Sequence, residues 1–255
     1  IIPVLLKSFS HSHDLVREAA QNTAKVIMGR LSAHGVKQVL APILSSLPNE
    51  PAWKTRLESL RLLGTMAHCA PKQLASCLPQ IVPVIVDASN DTHPRVKEGA
   101  KIVMSDITTV IRNPEVSALS PILLGALADP ASKTKAALEA LLNCEFMHAI
   151  DAPSLALLVP ILGRALRDRT ADLKRRSAAI TGNMVTMVGD SKFLLPYLEQ
   201  LMPGLKDCLL DPIPDVRATS AKAMGSLVGG VGEVAELLDI IPWLTLTLTT
   251  ESSPV

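Results

Sequence analysis

Apolar side chains fall along the chain in short stripes with helical spacing. The clearest is Leu194, Leu198, Leu201, Leu205 and Leu209, whose intervals of 4, 3, 4 and 4 residues place all five on one helix face. These stripes share a punctuation. Seven prolines recur in similar apolar settings, at positions 3, 42, 83, 121, 160, 203 and 242, with spacings of 39, 41, 38, 39, 43 and 39 residues. A basic residue stands 14 positions after each of the first six: Arg17, Arg56, Lys97, Lys135, Lys174 and Arg217. Eight positions after the proline comes an acid in the second to sixth copies: Glu50, Asp91, Asp129, Asp168 and Asp211.

Each mark has a physical meaning. A proline within the first helix of a pair removes one backbone donor and bends that helix. The acid ends the first helix or caps the second, where free N–H groups favour a carboxylate. The basic residue opens the second helix. Small residues follow it (Ala20, Ala100, Ser177, Ala221), and Gly64, Gly182 and Gly225 lie eight residues after it. Glycine costs about 1 kcal/mol inside a helix, so these three are read as points where neighbouring helices approach closely. The alternating run Leu244 to Leu248 looks like a strand, but the register assigns it to a helix.

The units are approximately 1–33, 34–71, 72–112, 113–150, 151–191 and 192–232, followed by half a unit over 233–255. A period near 40 residues with two helices per unit predicts an all-α HEAT-type α-solenoid, with about six complete helix pairs plus a half repeat. No linker interrupts the pattern, so 1–255 reads as a single array. Both ends are apolar where arrays ordinarily carry polar caps, and the basic residue due at position 256 lies past the last residue. A section of a longer solenoid is the expectation.

Composition narrows the function classes. Aromatics are 2% of the chain, so Leu, Ala, Val and Ile must fill the core, which suits regular helix-on-helix packing. The formal net charge of +1 excludes nucleic-acid binding by the whole surface and leaves only a local patch. Cys69, Cys77, Cys144 and Cys208 have no paired spacing and read as buried free thiols of a reducing compartment. The longest uncharged run, Gln73 to Val86, is 14 residues, short of the roughly 20 needed to cross a bilayer. A cytoplasmic protein is expected.

Candidate chemistry is sparse. His11-Ser12-His13-Asp14 resembles a metal-ligand cluster but sits in a turn with no third ligand group. His34, His68, His93 and His148 are isolated and read as core or turn residues. Gly225, Gly229, Gly230 and Gly232 read as the loop between the sixth and seventh units. No Gly-Lys dipeptide and no Gly-x-Ser-x-Gly occurs, which removes the Walker phosphate loop and the nucleophile elbow. No catalytic, cofactor or metal site is expected, nor a small-molecule substrate. One charged feature stands out. Arg164, Arg167, Arg169, Lys174, Arg175 and Arg176 face only Asp168 and Asp172, a local net of +4 around one inter-helix turn. Lys133 and Lys135 of the preceding turn join them if equivalent turns stack along one edge. These eight are the candidate contact for phosphate or an acidic protein. Scarce aromatics turn any RNA contact toward the backbone.

The segments between the repeat marks carry a resemblance: SAHGVK (32–37), CAPKQLASCLPQIVP (69–83), VIRNPEV (110–116), IDAPSLALLVPIL (150–162), TGNM (181–184) and LLDPIPDVRATSAKAMG (209–225). Together they resemble the general control nonderepressible translational activators, in the region similar to fungal elongation factor 3. The resemblance implies a segment of a large cytoplasmic protein that rides on translating or stalled ribosomes. It also implies activation of the kinase that phosphorylates the alpha subunit of initiation factor 2 in amino-acid starvation. An ATP-binding-cassette protein is the implied partner of this region, and the stress kinase docks elsewhere on the full-length protein. The competing readings are a protein–protein adaptor of the transport-receptor or phosphatase-scaffold type and an enzyme, which would take up nucleotide or metal.

Overall fold

The computed structural model describes residues 1–231 and 240–250, and the α-helices among them follow the predicted pairs. They divide between two compact units, Ile1–Arg112 and Asn113–Val255. In the first unit α1 (Ile2–Ser8), α3 (Ala33–Asn49) and α5 (Pro71–Ala88) pack in sequence as one layer. The second layer is α2 (Asp14–Gly29), α4 (Trp53–Cys69) and α6 (Pro94–Thr108). The second unit repeats the plan. There α7 (Pro114–Ala128), α9 (Ala152–Leu166) and α11 (Leu198–Leu209) form one layer, and α8 (Pro130–Leu142), α10 (Ala171–Thr186) and α12 (Pro214–Val231) the other. Helix α13 (Ile240–Thr250) follows and contains the run that alternates like a strand. Within each unit the helices pack both on the partner of their own pair and on the neighbouring repeat, which is the arrangement of a HEAT solenoid.

All seven register prolines lie in first helices. Pro42, Pro83, Pro121, Pro160 and Pro203 are inside theirs, and the helices continue through them. Pro3 differs: it occupies the first turn of α1, where no bend results because its missing N–H is unused there. The register cation is the fourth residue of α2, α4, α6, α10 and α12. Lys135 is the exception, since α8 begins directly after Asp129.

The small position three residues after the cation is buried as Ala20, Ser59, Ala100, Ser177 and Ser220. In the last copy the buried residue is therefore Ser220 and not Ala221, which is exposed. Ser177 Oγ donates to the Leu162 carbonyl at 2.8 Å, tying α10 to α9.

Several expectations change. Gly225, Gly229 and Gly230 lie inside α12, and Gly232 is outside the described residues, as is the boundary between the sixth and seventh units. The buried stripe Val216, Ser220, Ala223, Met224, Leu227 and Val231 outweighs the weak helix propensity of these glycines. Leu194 is buried like the rest of its stripe but stands between two short 3-10 turns, Ser191–Phe193 and Leu195–Tyr197, ahead of α11. Pro196 interrupts the helix there. All four cysteines are free, and Cys77 and Cys208 are buried, but Cys69 is exposed at the end of α4 and Cys144 is half-buried. None of the histidines is in the core. His93 caps α6 by accepting the Arg95 N–H at 3.3 Å, and His148 Nδ1 lies 2.7 Å from Glu115 Oε1.

Candidate functional site

Two of the turns between first and second helices are built by a register acid together with the register cation of the preceding repeat. In the first unit Asp91 Oδ1 accepts the His93 N–H at 2.7 Å, which fixes the turn. The Arg56 guanidinium of the preceding repeat grips both Asp91 oxygens, at 2.9 and 3.0 Å. Arg56 also donates to the carbonyls of Glu50 and Pro51 in its own turn. The second unit shows the same device. Asp211 Oδ1 accepts the Ile213 N–H at 2.9 Å and its Oδ2 accepts from Lys174 Nζ at 2.7 Å. The acid thus acts chiefly within the turn, and only Asp129 of these five caps a second helix by a side-chain bond, to the Ser132 N–H. Burial pushes the Asp91 and Asp211 carboxyls up, but the backbone N–H and the cation beside each outweigh it and hold both below the ordinary 3.8.

This geometry divides the eight candidate cations. Lys174 is spent on Asp211, whose side chain is 5% exposed, so it holds two repeats together and faces inward. Arg176 is likewise engaged: its Nε lies 2.7 Å from Asp172 and its Nη1 3.1 Å from Glu139, one repeat earlier. Arg175 reaches Asp172 at 3.2 Å but is exposed. Arg167 is exposed and donates to the Gln200 carbonyl at 3.4 Å. Lys133, Lys135, Arg164 and Arg169 are exposed with no ion pair among the described residues. The α7–α8 and α9–α10 turns lie side by side because α7 packs on α9 and α8 on α10. The usable surface is accordingly Lys133, Lys135, Arg164, Arg167 and Arg169, with Arg175 at its border. A contact made by such exposed cations should weaken as salt rises.

Two families match the sequence. Residues 1–104 match the family described as EF3 N-terminal HEAT repeat, and residues 132–236 match the one described as Elongation factor 3/GNC1 HEAT repeat. The whole chain aligns at 49% identity with the "Stalled ribosome sensor GCN1" of Homo sapiens, over 9% of that protein's length. The chain belongs to the GCN1 and elongation factor 3 HEAT-repeat family. It is also 45% identical over 100% of its length to the "Protein ILITYHIA" of Arabidopsis thaliana, of which it covers 10%. To the "eIF-2-alpha kinase activator GCN1" of Saccharomyces cerevisiae it is 42% identical over 79% of its length, covering 7% of that protein. The chain therefore spans about a tenth or less of the length of these relatives.

Within this family segment, no group of three or more His, Cys, Asp or Glu residues is placed to hold a metal among the described residues. No described helix is long and apolar enough to cross a membrane. The first unit holds a feature the sequence reading missed: a groove of about 790 Å³ on the α2–α4–α6 layer. Its signal was present in Arg17, Gln21 and Lys25, spaced four apart, which put a polar face on α2 away from the core.

Proposed function

We propose that this chain is a non-catalytic scaffold segment of a ribosome-associated translational activator, working in the cytoplasm. The observation that carries this reading is the collinear 49% match over all 255 residues to a protein named as a stalled ribosome sensor. On this proposal the seven repeat units form one array, and the array presents the Lys133–Arg169 edge to ribosomal RNA backbone or to acidic ribosomal protein. An ATP-binding-cassette protein is the further partner of this region. Activation of the kinase acting on initiation factor 2 alpha rests on other parts of the full-length protein.

Co-sedimentation of the 255-residue chain with purified ribosomes tests the proposal. The wild-type chain is expected in the pellet at about 50 mM salt and to be progressively released toward about 200 mM. Reversing Lys133, Arg164, Arg167 and Arg169 to Glu should move it to the supernatant at both, whereas Lys25→Glu in the first unit should not. Wild-type chain that stays in solution throughout would end the ribosome reading. Capture of a transport GTPase or a phosphatase subunit instead would install the adaptor reading in its place.

A further inference from the structure

The groove on the α2–α4–α6 layer is built from three helices whose equivalent turns stand level. At the level of their amino-terminal ends it is basic and aromatic. The Trp53 ring stacks on His93 with centroids 4.2 Å apart and planes 6° from parallel. The guanidinium of Arg95 lies 5.3 Å from the Trp53 ring centroid and the Lys54 ammonium 5.9 Å from it. His93 is itself fixed by capping α6, so the cluster is organised before any ligand arrives. Neither Lys54 nor Arg95 has an ion pair among the described residues. Along the rest of the groove Leu57, Val103 and the exposed Ile102 supply an apolar floor, and the walls mix the cations Lys25 and Arg61 with the carboxylates Glu98 and Asp106.

We infer that this groove is a docking site for an extended polypeptide segment whose carboxylates are clustered at one end, that end seated against Lys54 and Arg95 and its aliphatic side chains on the floor. Two features favour polypeptide over nucleic acid. A nucleic acid carries a phosphate at every step and would lay charge along the wall carboxylates and the apolar floor, whereas a peptide can confine its carboxylates to the Lys54–Arg95 end. One face of Trp53, on which a base would stack, is taken by His93. An apolar floor beside a cationic cluster is instead what the side chains of an extended peptide can use. The size agrees: from Trp53 to His68 the lining covers 15 residue steps of α4, about 22 Å at ~1.5 Å each. That length takes about seven residues of extended chain. Charge reversal at Lys54 and Arg95 leaves the fold intact because both are at the surface end of their helices, outside the core.

The test uses the whole chain and a fluorescein-labelled peptide of about seven to nine residues that opens with three Glu and continues with alternating Leu and Ser. Two other probes run beside it: the same peptide with Lys for Glu, and a labelled single-stranded RNA of similar length. Anisotropy should show saturable binding of the acidic peptide, no binding of the lysine peptide, and weaker binding of the RNA. The double variant Lys54→Glu/Arg95→Glu should lower affinity for the acidic peptide at least tenfold. Arg164→Glu/Arg169→Glu, in the second unit, should leave it unchanged. A second readout is the fluorescence of Trp53 with Trp243 replaced by Phe, which should change on titration. The inference is overturned if the acidic peptide fails to bind, if reversal at Lys54 and Arg95 makes no difference, or if RNA binds more tightly and displaces the peptide. Ribosome co-sedimentation can succeed or fail independently, since it reads the other unit's cations.

Discussion

Replacing Asp211 by Ala is expected to lower the stability of the second unit by about 2–3 kcal/mol, read by urea or thermal denaturation. Two groups lose their partner at once and the hold on a third is loosened. The carboxylate accepts from Lys174 and from the Ile213 N–H, and the turn it fixes presents the Asp211 and Pro212 carbonyls to Arg217. The loss stays at the low end for a broken buried pair because the Lys174 side chain is 24% exposed and can swing to water. Lys174→Met should be comparably harmful, since it strands a carboxylate that is 5% exposed, and the double variant should cost less than the two losses added. A loss below ~0.5 kcal/mol would class the pair with ordinary surface ion pairs and remove it as a tie between repeats.

The same pair sets a pH window. Asp211 and Asp91 have folded values below the ordinary 3.8, so their contribution is complete above that value and disappears as pH falls through the lower folded one. Lys174, hydrogen-bonded to Asp211, is raised above 10.5, so its share is present below that value and is lost only as pH climbs past the raised one. Stability should therefore be level across the neutral range and drop below about pH 4, with a shallower drop in Asp211→Ala.

Gly182 and Gly225 occupy one register position, yet their replacement should have opposite signs. A side-chain carbon on Gly182 would stand 3.1 Å from the Ala223 Cα of α12, and backbone cannot step aside cheaply. Gly182→Val is expected to cost about 2–3 kcal/mol by forcing α10 and α12 apart. A Cβ at Gly225 would meet nothing within 4 Å, so Gly225→Ala should raise stability by about 0.5–1 kcal/mol through helix propensity alone. Thermal melts of the two variants suffice, at about 2–4 °C per kcal/mol for a chain of this size. A destabilising Gly225→Ala would mean that this face of α12 is covered after all.

What the sequence determined by itself is the local half of the structure. Helix pairing, the proline in each first helix and the cation in the first turns of each second helix follow from a period of 3.6, from the missing donor of proline and from turn chemistry. All act within a few residues, so one chain displays them without coordinates. The tertiary structure decided which copies of a repeated mark are used. Lys174 and Arg176 look in sequence like Arg164 and Arg169, but the first two meet carboxylates of neighbouring repeats at 37 residues' separation and turn inward. Gly64 and Gly182 meet the next helix, and Gly225 does not. The groove joins Arg17, Trp53 and Arg95 across 78 residues of sequence. Such distinctions depend on what one repeat finds on its neighbour, and a side chain's own sequence surroundings carry no record of the atoms across that gap.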